Sequence, residues 1–488
     1  MTFPKFILGG ALFVVLATAN GAGYRYGVSD QAFYIPVITR ALDPSLFPRD
    51  GWLIDAEGRL MLADELLAAV VRGTGLPLEA LFLLGYIASL GLVWTGLVLI
   101  GGRVYRSWWA VAALGAAFTL RHRIARTSAN SLEPYFHPRI LAFGLGMLAI
   151  AAVLRRRGWL AAALVTASAV IHITTALWFA VLVGVALAVL EPRWRRLGTL
   201  GLAGAAAVLM VMVSAGPLRG SITMMDDVWL QAVASKDSLF ATDWPAWAWV
   251  INLGLLGVLW WAHRTRTTRG QATAEDRALV WGATALVALF LATLPLVSAG
   301  FALAVQFQIS RVFWLVDLLA LVYLIAVMSE PRGMRASAAV VAILLLAAST
   351  ARGMYIMLVE RPERALFELR VPESPWEDAM RWLARQPQTS HVLADPGHAW
   401  KYGTSVRVSA ERDVLLEEVK DSALAIYSRE AAVRFVDRVR AVGDFRALTA
   451  DRARDLAHRY AVDYLVTDVD LSLPSVYRNA QFRIYDLR

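Results

Sequence analysis

Runs of about twenty apolar residues recur through the first 360 positions of this chain, and a run of that length is what carries a helix across the ~30 Å hydrocarbon core of a bilayer. With 58% hydrophobic residues and a mean hydropathy of +0.52, a soluble fold could not cover so much apolar surface. Length and hydropathy place eleven spans, roughly at 5–22, 77–100, 107–120, 140–154, 158–171, 175–190, 197–215, 245–262, 278–298, 311–329 and 335–358. The start of the chain is spaced like a secretion signal, with Ala17-Thr18-Ala19 in the position of a cleavage site. Further spans follow it instead of a soluble domain, so it reads as a retained first helix.

The net charge is +9 and the pI near 9.9, which in a soluble chain would suggest nucleic acid. Here the arginines gather at the ends of the apolar segments, as membrane topology requires, and nucleic-acid binding is set aside. With no cysteine there is no disulfide, zinc-thiolate or thiol chemistry to consider.

With the N-terminus inside, the inner loops 101–107, 155–158, 191–197, 263–277 and 330–335 hold 14 Lys/Arg in 39 residues. The outer loops 23–77, 121–139, 217–243 and 299–311 then hold 12 in 114, so the positive-inside rule selects this orientation. Eleven spans put the C-terminus outside.

Two domains are expected. Residues 1–359 form the transmembrane domain, and its long outer loop 23–77 has helical apolar spacing at 30–42 and 60–73 around Pro44, Pro48 and Gly51. Two helices lying along the membrane surface fit that loop. From about 360 to 488 the composition turns charged, with strands alternating with helices, as in a small soluble α/β domain on the outer side. Expected there are a helix from Ser374-Pro375-Trp376 to Arg385, strands at 391–395, 406–409, 462–467 and 482–486, and helices around 411–442 and 449–460. Neither a P-loop nor a G-x-G-x-x-G is present.

Polar residues at the outer boundary are the candidates for chemistry. Asp30 follows the first span and precedes a helical run. It serves either as a general base, taking a proton from an attacking hydroxyl, or as the cap of that helix. Asp43 and Asp50 could join it around a divalent metal, although Asp-Pro and Asp-Gly are ordinary turn pairs. The loop 121–139 carries four arginines and two histidines against the positive-inside trend, among them Arg123, His137 and Arg139. Guanidinium groups fork onto phosphate oxygens, and they also hold anionic membrane lipids. His172 ends a span and faces either a cavity or a helix–helix hydrogen bond. Gln308 and Arg311 open the tenth span, with Arg311 set to meet a phosphate or to pair with Asp317 or Asp30.

Taken together, Ser29-Asp30-Gln31-Ala32-Phe33-Tyr34, Gln308-Ile309-Ser310-Arg311 and an outer C-terminal domain resemble the GT-C class of polyprenyl-phosphate-dependent membrane glycosyltransferases. Tyr135-Phe136-His137-Pro138-Arg139 and the stretch from Trp376 to Pro396 are similar to an uncharacterised bacterial branch of it. The resemblance implies a polytopic α-helical membrane protein of GT-C-like fold in the cytoplasmic membrane. It implies an inverting transferase that moves a sugar from a polyprenyl-phosphate donor to an unknown acceptor. Asp30 would be the base, and Arg311, Gln308, His137, Arg139, Arg123, His172 and Tyr34 would hold the donor. Members that glycosylate protein carry a W-W-D-type motif, and none is found among Trp229, Trp244, Trp247 and Trp249. A transporter or flippase of a lipid-linked substrate, or a non-catalytic scaffold, is the rival expectation. Against transport, no repeat relates the two halves, and the polar residues sit at the boundary instead of at midplane.

Overall fold

The computed structural model describes residues 2–58, 62–216, 218–330 and 337–488. The chain divides into two compact units. One is built from Met1–Tyr24, Leu83–Met224 and Asp237–Phe367, the other from Arg25–Phe82, Met225–Lys236 and Glu368–Arg488.

Among the described residues, eight helices are long and apolar enough to cross a membrane: Phe3–Asn20, Leu78–Val104, Ile173–Leu190, Pro192–Ser214, Ala246–Thr268, Ala274–Ser298, Ala302–Ser329 and Ser337–Glu360. Three shorter apolar helices, Trp108–Thr119, Pro138–Val153 and Gly158–Ile171, occupy the other expected spans. The protein is a multi-pass helical membrane protein. Hydrocarbon offers no partners to a backbone, so each span closes its own hydrogen bonds and the sequence marks where it begins. Ser107 accepts from the Trp109 amide at 3.2 Å, Pro138 and Pro192 fill first turns, and Thr273 and Asp276 cap each other. The last span is described from Ser337, so the part of its expected start at 335 and 336 lies outside the described residues.

Between spans the packing uses small residues and a few polar contacts. The Asn20 amide donates to the Ser349 carbonyl at 3.0 Å, and the Ser349 and Thr119 hydroxyls lie 2.7 Å apart, joining the first, third and last spans. Two interruptions stand out. His172 is extended between Gly158–Ile171 and Ile173–Leu190. The span Ala302–Ser329 breaks after Gln306, with Gln308 in the left-handed region at φ 50°, before the helix Val312–Ser329 resumes.

In the second unit, residues 25–82 form helices Gln31–Leu42, Gly51–Gly58 and Ala63–Thr74. The sequence reading did not anticipate the middle one. Asp50 starts it, its carbonyl accepting from the Leu53 and Ile54 amides at 2.9 Å. Leu60, expected in the last of the three, lies outside the described residues. The C-terminal segment builds a mixed sheet from β1 (His391–Leu393), β2 (Asp413–Val414), β3 (Tyr464–Thr467), β4 (Ser475–Arg478) and β5 (Arg483–Asp486), in the order β2-β1-β3-β5-β4. β1 runs parallel to β2 and β3, while β5 pairs antiparallel with β3 and β4. Trp376, Met380 and Leu383 from the helix Pro375–Ala384 close over Val392, Val414, Tyr464 and Ile484.

One expected strand is a short helix instead. Val406–Ser409 alternates like a strand, but the Ser405 hydroxyl accepts from the Arg407 amide at 3.0 Å and caps a helical turn. The second strand lies further on, at β2. The long helix expected over 411–442 is divided by that strand and by the Ser428 cap into Glu418–Leu424 and Arg429–Val442.

Within this unit the segment 25–82 is joined to the C-terminal segment by buried charge. Arg407 meets Asp50 at 2.9 Å, Asp421 at 2.8 Å and Glu417 at 3.6 Å, and Arg434 bonds Asp50 and Asp421. Leaving one member of such a cluster without its partner costs about 3–5 kcal/mol.

Candidate functional site

The loop 121–139 folds as a small hairpin, with Arg123 opposite Asn130 and Ile124 opposite Ala129. Arg123 is exposed on it. Beyond the hairpin Glu133 is buried. It accepts from Arg139 at 2.5 Å and from the Asn130 amide at 3.1 and 3.2 Å, with Arg121 at 3.9 Å. That carboxylate orients Arg139 at the start of Pro138–Val153.

His137 caps the same helix. Its Nδ1 accepts from the Arg139 amide at 3.2 Å, so the neutral ring carries its proton on Nε2. His172 does the same for Ile173–Leu190, accepting from the Thr175 amide at 3.3 Å. The two rings lie 6.1 Å apart, centre to centre. Arg139 and Arg311 both lie within electrostatic range of His172. His137, Arg139, His172 and Arg311 thus converge, although 174 positions separate the first from the last. Each presents hydrogen to its surroundings, which makes this a donor-rich place. At the break that carries Arg311 and Gln308, Gln306 is also buried, and neither its amide oxygen nor its nitrogen meets a partner among the described residues. Asp317 does not pair with Arg311 in the way the sequence allowed; it meets His122 at 2.8 Å.

Asp30 belongs to the second unit. It precedes the helix Gln31–Leu42, but its side chain makes no capping bond; the Lys420 ammonium meets it at 3.2 Å. Lys420 is itself buried and sits 4.6 Å from the centre of the Phe33 ring. Asp30 keeps 29% of its side chain exposed. Tyr34 is buried in the same helix.

Asp43 and Asp50 do not suit a metal. Asp43 holds a turn, accepting from the Ser45 amide at 3.0 Å and its hydroxyl at 2.6 Å. Asp50 is spent on Arg407, Arg434 and the Val414 amide. Burial works to raise its carboxyl, but the Arg434 and Arg407 guanidiniums overcome this and hold it well below the usual carboxylate range. Among the described residues no three His, Asp or Glu side chains are arranged to hold a metal ion.

Sequence reasoning missed Glu133, Gln306 and Lys420. A lone carboxylate in an arginine-rich loop is a readable signal for Glu133. Lys420 is one of four lysines among 48 basic residues, but nothing local ties it to Asp30.

Family models gave no match to the chain, and curated protein sequences gave none. Solved structures match over nearly the whole chain at low identity. The arabinofuranosyltransferase AftD from Mycobacteria is similar over 100% of this chain, at 14% identity and a TM-score of 0.49. This chain spans 40% of the length of that protein. The apo oligosaccharyltransferase of Archaeoglobus fulgidus matches 95% of this chain and 69% of its own, at 12% identity and a TM-score of 0.46. The archaeal oligosaccharyltransferase AglB from the same organism, in complex with an inhibitory peptide and a dolichol-phosphate, matches 96% of this chain and 70% of its own, at 12% identity and a TM-score of 0.38.

Proposed function

We propose that this protein is a membrane glycosyltransferase that moves a sugar from a polyprenyl-phosphate carrier to an acceptor hydroxyl at the outer face of the cytoplasmic membrane, with inversion. The observation that carries this reading is the convergence of Arg139, Arg311, His137 and His172, donors all, at the ends of interrupted spans. A carrier phosphate is rich in acceptor oxygens and needs such a lining once it leaves water. The helix Gly158–Ile171 has 14 residues, about 21 Å of rise, and stops short of a ~30 Å hydrocarbon core. In this reading its His172 end lies below the outer headgroups, and the carrier phosphate is drawn down to it.

In this reading the basic residues stabilise the charge that grows on the departing phosphate. Asp30 receives the proton of the attacking hydroxyl. Lys420 stands 3.2 Å from that carboxylate and holds it in place. Gln308 and Tyr34 take donor contacts, and Arg123, exposed on its hairpin, contributes attraction at longer range.

The test is transfer from labelled polyprenyl-phosphate sugars by the purified protein in nanodiscs. The wild type should transfer a sugar. Asp30→Asn keeps an oxygen for Lys420 and should slow transfer roughly 100- to 10,000-fold. Arg311→Ala should weaken donor binding and slow transfer together. A flippase would need the same basic lining but no base. Carrier movement that survives Asp30→Asn, with no transfer by the wild type, would replace this reading with transport.

A further inference from the structure

The second unit contains a crevice that has no part in the chemistry above. β1 and β3 are parallel neighbours, and the chain leaves β1 toward β2 on one side but reaches β3 on the other. The carboxyl ends of β1 and β3 therefore flank the point where the strand order reverses, the place where open α/β sheets bind ligands. A cavity of about 270 Å³ opens there, lined by Asp395, Lys401, Tyr402, Phe445, Arg446 and Asp468.

The lining is built, not incidental. Asp395 follows β1, accepts from the Gly397 amide at 2.8 Å and pairs with Lys401. Its carbonyl accepts from the ring Nδ1 of fully buried His398 at 2.7 Å, while the His398 Nε2 accepts from the Val406 amide at 3.2 Å. This ring pins the Asp395 turn from beneath. Tyr402 is backed by Trp376 and Phe482, each with its ring centre 4.8 Å away. Trp400, 61% exposed, lies beside Lys401 on the short helix His398–Lys401.

The chemistry selects the ligand class. Two carboxylates and two cations balance, so the cavity favours neither a polyphosphate nor a metal ion. Carboxylates accept from paired hydroxyls, Lys and Arg donate to hydroxyl oxygens, and aromatic faces cover the apolar side of a ring. At ~30 Å³ per water the space is roughly nine waters, the scale of one sugar ring. We propose that this crevice binds one sugar unit of the acceptor, so that the acceptor is a carbohydrate. The acceptor role, though not the binding, rests on the transferase reading.

Binding is measured on the full-length protein in nanodiscs without any lipid donor, by saturation-transfer NMR. The probes are the methyl glycosides of glucose, galactose, mannose and arabinose, with inorganic phosphate as competitor. At least one glycoside should bind saturably. Asp468 and Arg446 are exposed, so Asp468→Asn and Arg446→Gln should leave the fold intact while each weakens binding roughly tenfold. No saturable binding by any of the four, binding untouched by both variants, or displacement by phosphate would overturn the proposal. Because no donor is present, sugar binding in a protein that fails to transfer would count against the transferase reading and leave the crevice standing as a sugar site.

Discussion

Asp30 and Asp50 are twenty positions apart in the chain, and both meet cations contributed by residues beyond 400. Their surroundings separate their roles. Asp50 is fully buried with two arginines and a backbone amide on its oxygens, so it has no capacity left for a substrate. Asp30 meets Lys420 and keeps an exposed side, as the proposed proton transfer requires. The partners of Asp50 are 357 and 384 positions away, which is why its local sequence reads only as a turn or a metal ligand. His391 extends the same neighbourhood. Its Nδ1 faces the Tyr460 and Ala461 carbonyls at 3.2 and 3.3 Å, which fits a neutral ring donating from that nitrogen. Burial, with help from the charges of Arg438 and Arg49 and against the pull of Asp50, brings the ring down to about 4. A histidine depressed in this way contributes stability that is complete above its unfolded value and lost as pH falls from about 6.5 toward 4. Asp413 tilts the balance the other way, because burial and the Asp50 charge raise its carboxyl and favour its protonated form. The comparison therefore has to be between variants. His391→Asn should gain stability relative to wild type as pH drops from 7 to 4.5, read as unfolding midpoints at each pH. A constant gap between the two proteins would mean that His391 titrates normally.

At the scale of elements, the spans were legible because bilayer thickness imposes a length, and among the described residues eight long and three shorter apolar helices stand where they were expected. The interruptions were half legible: polar His172 and Gln308 stood out against apolar neighbours, but their backbone geometry did not. What stayed hidden were elements set by single caps, such as the turn that Ser405 makes of Val406–Ser409, and the pairing of helices. One pairing is set by a glycine. A Cβ on Gly282 in Ala274–Ser298 would lie 2.5 Å from the Leu182 carbonyl oxygen of Ile173–Leu190. Backbone cannot swing aside as a side chain can, so Gly282→Ala must push the two helices apart. The expected cost is about 1–3 kcal/mol, seen as a lower midpoint of thermal unfolding in detergent. Gly184, two residues from Leu182, has nothing within 4 Å of where a methyl group would stand, so Gly184→Ala should leave that midpoint almost unchanged. Equal effects from the two variants would show that this helix contact is not close.

At the scale of the whole molecule, chain parity constrains the topology. The second unit draws on residues 25–82, 225–236 and 368–488, and one compact unit needs all three on the same side of the membrane. If only the eight long helices crossed, residues 25–82 would follow one span and 225–236 would follow four, which puts them on opposite sides. An odd number of the short helices Trp108–Thr119, Pro138–Val153 and Gly158–Ile171 has to cross as well. If all three cross, the three segments follow one, seven and eleven spans, and every one emerges on the same side. Charge then chooses the side. Arg155, Arg156 and Arg157 stand between the second and third short helices, and a crossing of all three places that triplet inside with the other arginine-rich loops. We therefore expect alkaline phosphatase fused after residues 44, 128, 228 or 400 to be active outside the cytoplasm, and fusions after 106, 156 or 270 to be inactive. The fusion after 156 decides most. Activity there, with 128 also active, would mean that Pro138–Val153 does not cross. Parity would then require that Gly158–Ile171 does not cross either, and the donor-rich ends of these helices at His137 and His172 would lose the membrane depth that the proposed phosphate site depends on.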